Sequence, residues 1–198
     1  MFSYIKGKLV SKLVNYIIVE VGGIGFKIFM STSSISKLNE NEEVKIHTYM
    51  QVKEDDISLY GFITSEELRM FELLISVSGI GAKSAITMLS SITPSSFALA
   101  IISNDIKSLT KIPGIGNKTA QRIVLELKDK LKTEESISND NEEIIIAIKD
   151  DNKSSEAIQA LKVLGYTNSE IEKVLGKIDT NSMTVEDIIR TALINLGR

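Results

Sequence analysis

The chain has 198 residues, 43% of them hydrophobic, with 23 Lys and Arg against 26 Asp and Glu for a net charge of −3. That is apolar material for one medium domain or two to three small ones, and the whole-chain charge does not by itself point to nucleic acid. Cysteine is absent and histidine occurs once, at His47. Disulfides, thiolate metal sites, iron–sulfur clusters and Cys nucleophiles are excluded, and His-based chemistry has little material.

Met1 to Lys6 carries no charged stretch followed by an apolar run, so no secretory signal is expected. No apolar run approaches ~18 residues, the length of a membrane span. The expectation is a soluble, cytoplasmic protein without membrane contact. Residues 1–63 read as strands: Phe2–Val10, Val14–Val21, Phe26–Ser31, Glu43–Val52 and Ile57–Phe62 are rich in Ile, Val, Tyr and Phe, with a turn at Gly22 to Gly25. Five short strands without a long helix predict an OB-like β-barrel. His47 lies in one of these strands and is assigned no role.

At Thr64 the pattern changes. Thr64 and Glu67 have the spacing of a capping box, and Leu68, Phe71, Leu74 and Ile75 recur at helical spacing. Thr93-Pro94 opens another helix. Residues 64–133 are expected to hold about five helices. Residues 134–153 are rich in Asn, Ser and acid, broken by Ile144 to Ile146, and read as a flexible acidic linker. Residues 154–198 predict a three-helix bundle, with Gly165 ending the first helix, a capping box at Thr167 and Glu170, and a last helix from Thr184. Its expected core holds Leu161, Leu164, Ile171, Val174, Leu175, Ile188, Ile189 and Leu193. The fold class is thus α+β and multidomain. By segment the net charges are 0, +3, −5 and −1. The acid is concentrated in the linker, and the middle segment is basic.

That basic segment contains a repeat. Residues 77–85 read Val-Ser-Gly-Ile-Gly-Ala-Lys-Ser-Ala, and residues 112–120 read Ile-Pro-Gly-Ile-Gly-Asn-Lys-Thr-Ala. Gly79 and Gly81 match Gly114 and Gly116; Lys83 and Ser84 match Lys118 and Thr119. Glycine permits positive φ and leaves backbone amides uncovered. The start of the following helix carries unpaired donors and partial positive charge, which suits a phosphate. The isoleucine between the glycines should turn into the core, and the lysine adds a full charge. Arg122 follows Lys118 by four residues on the same helix face. Nothing in this set reads base edges, so sequence-independent binding is expected. One copy alone reads as well as an ordinary glycine turn; two copies with matched lysine and hydroxyl argue for phosphate. A nucleotide P-loop needs Gly-Lys-Ser/Thr as neighbours. Ala82 and Asn117 intervene here, so no ATP site and no cofactor are expected.

Glu54, Asp55 and Asp56 fall between two predicted strands. From the residues alone this is a solvated hairpin turn, with a metal-dependent nuclease site as the rival. A shortage of exposed aromatics speaks against an RNA-binding OB protein.

The paired glycine loops are the helix–hairpin–helix signature. The pair follows an OB-like segment and precedes an acidic linker and a small helical segment. Together with Val52-Lys53-Glu54-Asp55, Leu59-Tyr60-Gly61-Phe62, Ala160-Leu161 and Leu164-Gly165-Tyr166, this arrangement resembles the RuvA family along the whole chain. The resemblance implies a non-catalytic subunit that binds four-way (Holliday) DNA junctions. It implies a homotetramer, or two tetramers face to face, that recruits the hexameric RuvB ATPase for branch migration and shares a complex with the RuvC resolvase. It implies that Glu54 and Asp55 form an acidic pin at the junction centre. It also implies that the C-terminal helices meet the motor, with Leu161, Leu164 and Tyr166 as contact candidates. The family pattern carries a second basic residue where this chain has Asn117. The alternative is a general helix–hairpin–helix accessory module of a repair enzyme.

Overall fold

The computed structural model describes residues 2–138, 152–180 and 182–197. Its N-terminal strands are β1 (Tyr4–Lys12), β2 (Tyr16–Val21), β3 (Ile24–Phe29), β4 (Glu43–Val52) and β5 (Ile57–Phe62), with a short helix α1 (Thr32–Ser36) between β3 and β4. They close in the order β1-β2-β3-β5-β4, all antiparallel except the β3–β5 seam. The expected barrel is therefore present. Inward positions alternate along the strands: Ile5 and Leu9, Ile17 and Val19, Ile28 and Met30, Val44 and Ile46 form the core. The turn after β2 is tighter than expected. Gly22 and Gly23 both take positive φ, +58° and +82°, so a two-residue hairpin suffices and Ile24 and Gly25 join β3. Sequence reasoning missed α1, whose start is capped by Ser31 accepting from the Ser34 amide at 3.1 Å.

Helix α2 (Ser65–Ile75) lays Phe71 against the barrel, with ring centroids 5.2, 5.4 and 4.9 Å from Tyr49, Tyr60 and Phe62. The expected capping box at its start is half formed. Thr64 Oγ1 accepts from the Glu67 amide, but the Glu67 carboxylate passes Thr64 and accepts instead from the Ile63 amide and the Ser34 hydroxyl. Then follow α3 (Ala82–Leu89), α4 (Pro94–Ile102), α5 (Ile106–Thr110) and α6 (Asn117–Ser138). The five expected helices of this region are all there. Helix α6 continues through residues 134–138, where the composition predicts linker; Ile144 to Ile146 lie outside the described residues.

The C-terminal helices are α7 (Asn152–Val163), α8 (Asn168–Leu175) and α9 (Val185–Leu196). Gly165 ends α7 at φ +80°. The Thr167–Glu170 capping box has both its bonds, and Thr184 caps α9. These helices do not stand apart: α7 packs along α4 as well as α9. The physical cause is α4 itself, whose Phe97, Ala98, Ala100 and Ile101 are all buried and need cover on more than one side. Ser96 Oγ donates to Glu186 Oε1 at 2.8 Å, tying α4 to α9 as well.

The chain forms two compact units. One comprises Met1–Ile75 with Ile80–Ser91; the other comprises Ser76–Gly79 with Ile92–Arg198.

Candidate nucleic-acid interface

Each hairpin is built the same way. Gly79 and Gly114 hold φ at +86° and +84°, a conformation that L side chains rarely adopt. Ile80 and Ile115 turn inward and are buried, as expected from their place between glycines. Gly81 then caps α3 with extended backbone and no side-chain hydrogen bond, its carbonyl taking the Ala85 amide at 3.0 Å. Gly116 precedes α6, its carbonyl accepting from the Ala120 amide at 2.9 Å.

Four glycines thus divide into two kinds. Gly79 and Gly114 are required by backbone conformation. Gly81 and Gly116 are not at positive φ, and a Cβ at either would meet nothing within 4 Å. The fold has no need of glycine there. Glycine there leaves the first amides of α3 and α6 uncovered, as a phosphate approaching a helix start would require.

Lys83, Ser84 and Lys118 are exposed in the first turn of their helices, and Thr119 is half-buried. Neither lysine has an ion-pair partner among the described residues. Asn117, in the place of a family basic residue, is exposed and uncharged. Arg122 is exposed but partly engaged: its Nη1 donates to the Ser78 carbonyl at 3.1 Å. Glu126, one turn further along α6, accepts from the Ser78 amide at 3.1 Å. Sequence reasoning missed Ser78 and Glu126, because each bond joins residues more than forty positions apart.

The acidic turn belongs to the same unit as α3. The Lys53 amide donates to the Asp56 carbonyl at 2.8 Å, closing a tight hairpin whose two corner residues are Glu54 and Asp55, both exposed. Asp56 is different. Its Oδ2 accepts from Ser58 Oγ at 2.5 Å, which turns this carboxylate back along β5. Nearby, burial raises the Tyr60 hydroxyl above its usual pKa; the Ser58 hydrogen bond opposes this and the Asp56 charge adds to it. No group of three or more metal-ligating side chains converges among the described residues. His47 is held below its usual pKa by partial burial and by Lys45, with Glu66 opposing; it lies in β4 opposite Tyr4 and Phe62.

The motor-contact candidates fall in the interior. Leu161, Leu164 and Tyr166 are 0%, 1% and 6% exposed. In the free chain all three are buried, so a partner would meet them only through their neighbours or after the helices part. Among the described residues no single helix is long and apolar enough to cross a membrane.

Comparison with known proteins agrees with this architecture segment by segment. The RuvA N terminal domain family matches residues 1–61, the SAM-like helix-hairpin-helix tandem family residues 71–129, and the RuvA C-terminal domain family residues 152–197. A protein of Acetivibrio thermocellus named Holliday junction branch migration complex subunit RuvA is 50% identical, over all of both chains. Proteins of the same name from Ruminiclostridium cellulolyticum and Clostridium botulinum are 47% and 44% identical, each alignment covering at least 98% of both chains. With a barrel, a hairpin tandem and C-terminal helices in the matching order, and half of its residues shared with a full-length relative, the chain belongs to the RuvA family.

Proposed function

We propose that this chain binds four-way DNA junctions by their structure, independently of base sequence, and serves as the DNA-binding subunit of a branch-migration complex. The observation that carries the reading is the pair of matched hairpins, each with a positive-φ glycine, a sterically unneeded second glycine and an exposed lysine in the following turn. Backbone amides after Gly81 and Gly116 receive phosphate oxygens, the partial charge of the helix start favours them, and Lys83 and Lys118 supply full charges. Ser84 and Thr119 add hydroxyl donors, and Arg122 adds the N–H groups it does not spend on Ser78. Such contacts position a duplex arm and carry no base information.

In this reading Glu54 and Asp55 form a pin that repels phosphate at the crossover, and Asp56 braces the turn through Ser58. The chain acts as a homotetramer or a face-to-face pair of tetramers, so that four pins meet four arms. ATP hydrolysis belongs to a separate RuvB motor, which the C-terminal helices recruit, and RuvC resolves the same junction. The work takes place on cytoplasmic DNA.

The test compares a labelled four-way junction with a duplex of equal length across a salt series. The junction should bind more tightly. Eight engaged hairpins in a tetramer, with one phosphate each, give a log–log salt slope on the order of −7. Lys118→Ala should weaken all sequences alike and flatten the slope. Unchanged junction binding in a Lys83→Ala, Lys118→Ala, Arg122→Ala variant refutes the assignment. Equal binding of junction and duplex would favour the accessory-module alternative.

A further inference from the structure

The backbone of Ser78 is gripped on both sides by one helix. Its N–H donates to Glu126 Oε2 and its carbonyl accepts from Arg122 Nη1, each at 3.1 Å. The two side chains stand four residues apart on α6, one turn along the stripe that starts at Lys118. The same Nη1 lies 3.3 Å from where a Cβ would sit on Gly79, so the arginine closes over the left-handed corner itself.

The second hairpin explains why the first has such a grip. At the position matching Ser78 it has Pro113. Proline has no N–H to satisfy and a fixed φ, so the residue before Gly114 is stiff on its own. Serine offers neither advantage, and its amide and carbonyl find partners on α6 instead. The charge of Glu126 is also informative. A carboxylate on the helix that presents Lys118 lowers the attraction for phosphate, so its presence there calls for a role other than affinity through charge.

We infer that Glu126 and Arg122 are positioning residues: they clamp the Ser78–Gly79 peptide to α6, so that the corner of the first hairpin and the Lys118 helix engage the DNA backbone as one rigid element. The inference rests on the phosphate role proposed for the hairpins. A corner already ordered in the free protein need not be ordered on binding, and that saving appears as affinity.

The sign of one substitution separates this from simple electrostatics. If Glu126 acts only by charge, both Glu126→Ala and Glu126→Gln tighten junction binding. If it is a clamp, Glu126→Ala weakens binding on the order of tenfold, the loss of a hydrogen bond to a charged group. The salt slope stays as in the wild type, because no phosphate contact is removed. Glu126→Gln keeps wild-type binding or better, since its amide oxygen still accepts from Ser78. Hydrogen exchange in the free full-length protein gives an independent readout: the Ser78 amide is protected in the wild type and in Glu126→Gln, and exchanges faster in Glu126→Ala. Ser78→Pro, which copies the second hairpin, should make Glu126→Ala neutral when the two are combined. The inference is overturned if Glu126→Ala binds the junction as tightly as wild type or more so, or if Ser78 exchange is unchanged in it. A Lys118→Ala control distinguishes the levels. If Lys118→Ala weakens binding and Glu126→Ala does not, the clamp alone is wrong. If Lys118→Ala has no effect, the phosphate reading falls and takes the clamp with it.

Discussion

Alanine at the four hairpin glycines should separate folding from binding. Gly81 has φ −91° and ψ 166°, open to any residue, and a Cβ there or at Gly116 meets nothing within 4 Å. Replacing glycine removes freedom from the unfolded chain, a gain of about 0.4–1 kcal/mol. Alanine is the poorer helix cap, a loss of about 0.5–1 kcal/mol. The two effects nearly cancel, so Gly81→Ala and Gly116→Ala should leave stability within about 0.5 kcal/mol of wild type. Gly79 and Gly114 sit at φ +86° and +84°, where an L residue costs roughly 1–2 kcal/mol. Binding should follow the opposite order. A methyl at Gly81 or Gly116 obstructs an amide–phosphate bond of about 1.5–3 kcal/mol, which corresponds to roughly 10- to 150-fold in affinity. Urea unfolding and titration of a fluorescent four-way junction, run on the same four variants, give both quantities. A Gly81→Ala, Gly116→Ala double variant that is stably folded and binds the junction like wild type would falsify the claim that phosphates approach at these amides.

Neutralising the pin with Glu54→Gln and Asp55→Asn should leave junction binding equal or tighter and reduce the preference over duplex, since a carboxylate ~4 Å from a phosphate costs about 1 kcal/mol even at the dielectric of water; much weaker binding by a folded variant would show that the carboxylates are structural. Gly61→Ala should destabilise the barrel by about 1–3 kcal/mol, because its Cβ would lie 2.7 Å from an Ile46 methyl and 3.2 Å from Met30, and closer still to Ile28; an unchanged urea midpoint would contradict the packing. Asp105 caps α5, and hydrogen bonds from the Ser108 side chain and backbone hold its carboxyl below the ordinary value of 3.8. A folded pKa below the unfolded one gives stability that is present above the unfolded value and lost as pH falls through the folded value. The stability gap between wild type and Asp105→Ala should therefore be constant near neutrality and narrow below pH ~4; a gap that widened on acidification would reverse the sign of this argument.

The hairpins were legible because their physics is local. A glycine at positive φ, an inward isoleucine and a glycine cap lie within three consecutive residues, and the repeat displays the set twice. The barrel was legible for a similar reason, since alternating apolar residues and a double-glycine turn act over short spans. What escaped depended on partners distant in sequence. Glu67 has the spacing of a capping box and forms half of one; its carboxylate is drawn to Ser34 and Ile63, and nothing near Thr64 announces that Ser34 will be there. Arg122 at i+4 from Lys118 shares its helix face, yet the Ser78 it holds lies in the other hairpin. The one local hint was the mismatch inside the repeat, serine against proline, at the residue that the α6 side chains hold.

The C-terminal helices show how a correct list of elements can still mislead about what covers them. Leu161, Leu164, Ile171, Val174, Leu175, Ile188, Ile189 and Leu193 give a plausible core for three short helices, and all but the half-buried Val174 are buried. The count says nothing about which surface buries them. That information was in another segment: Pro94-Ser95-Ser96-Phe97-Ala98-Leu99-Ala100-Ile101-Ile102 has no charged residue and apolar residues around most of its circumference. A helix of that composition cannot leave one side in water without losing about 25 cal/mol for each Å² of apolar surface exposed. Helix α4 therefore requires cover beyond α5 and α6, and α7, which packs along it, supplies that cover. The C-terminal segment alone does not announce this, because its apolar residues can fill the bundle's own core or cover a helix elsewhere in the same chain.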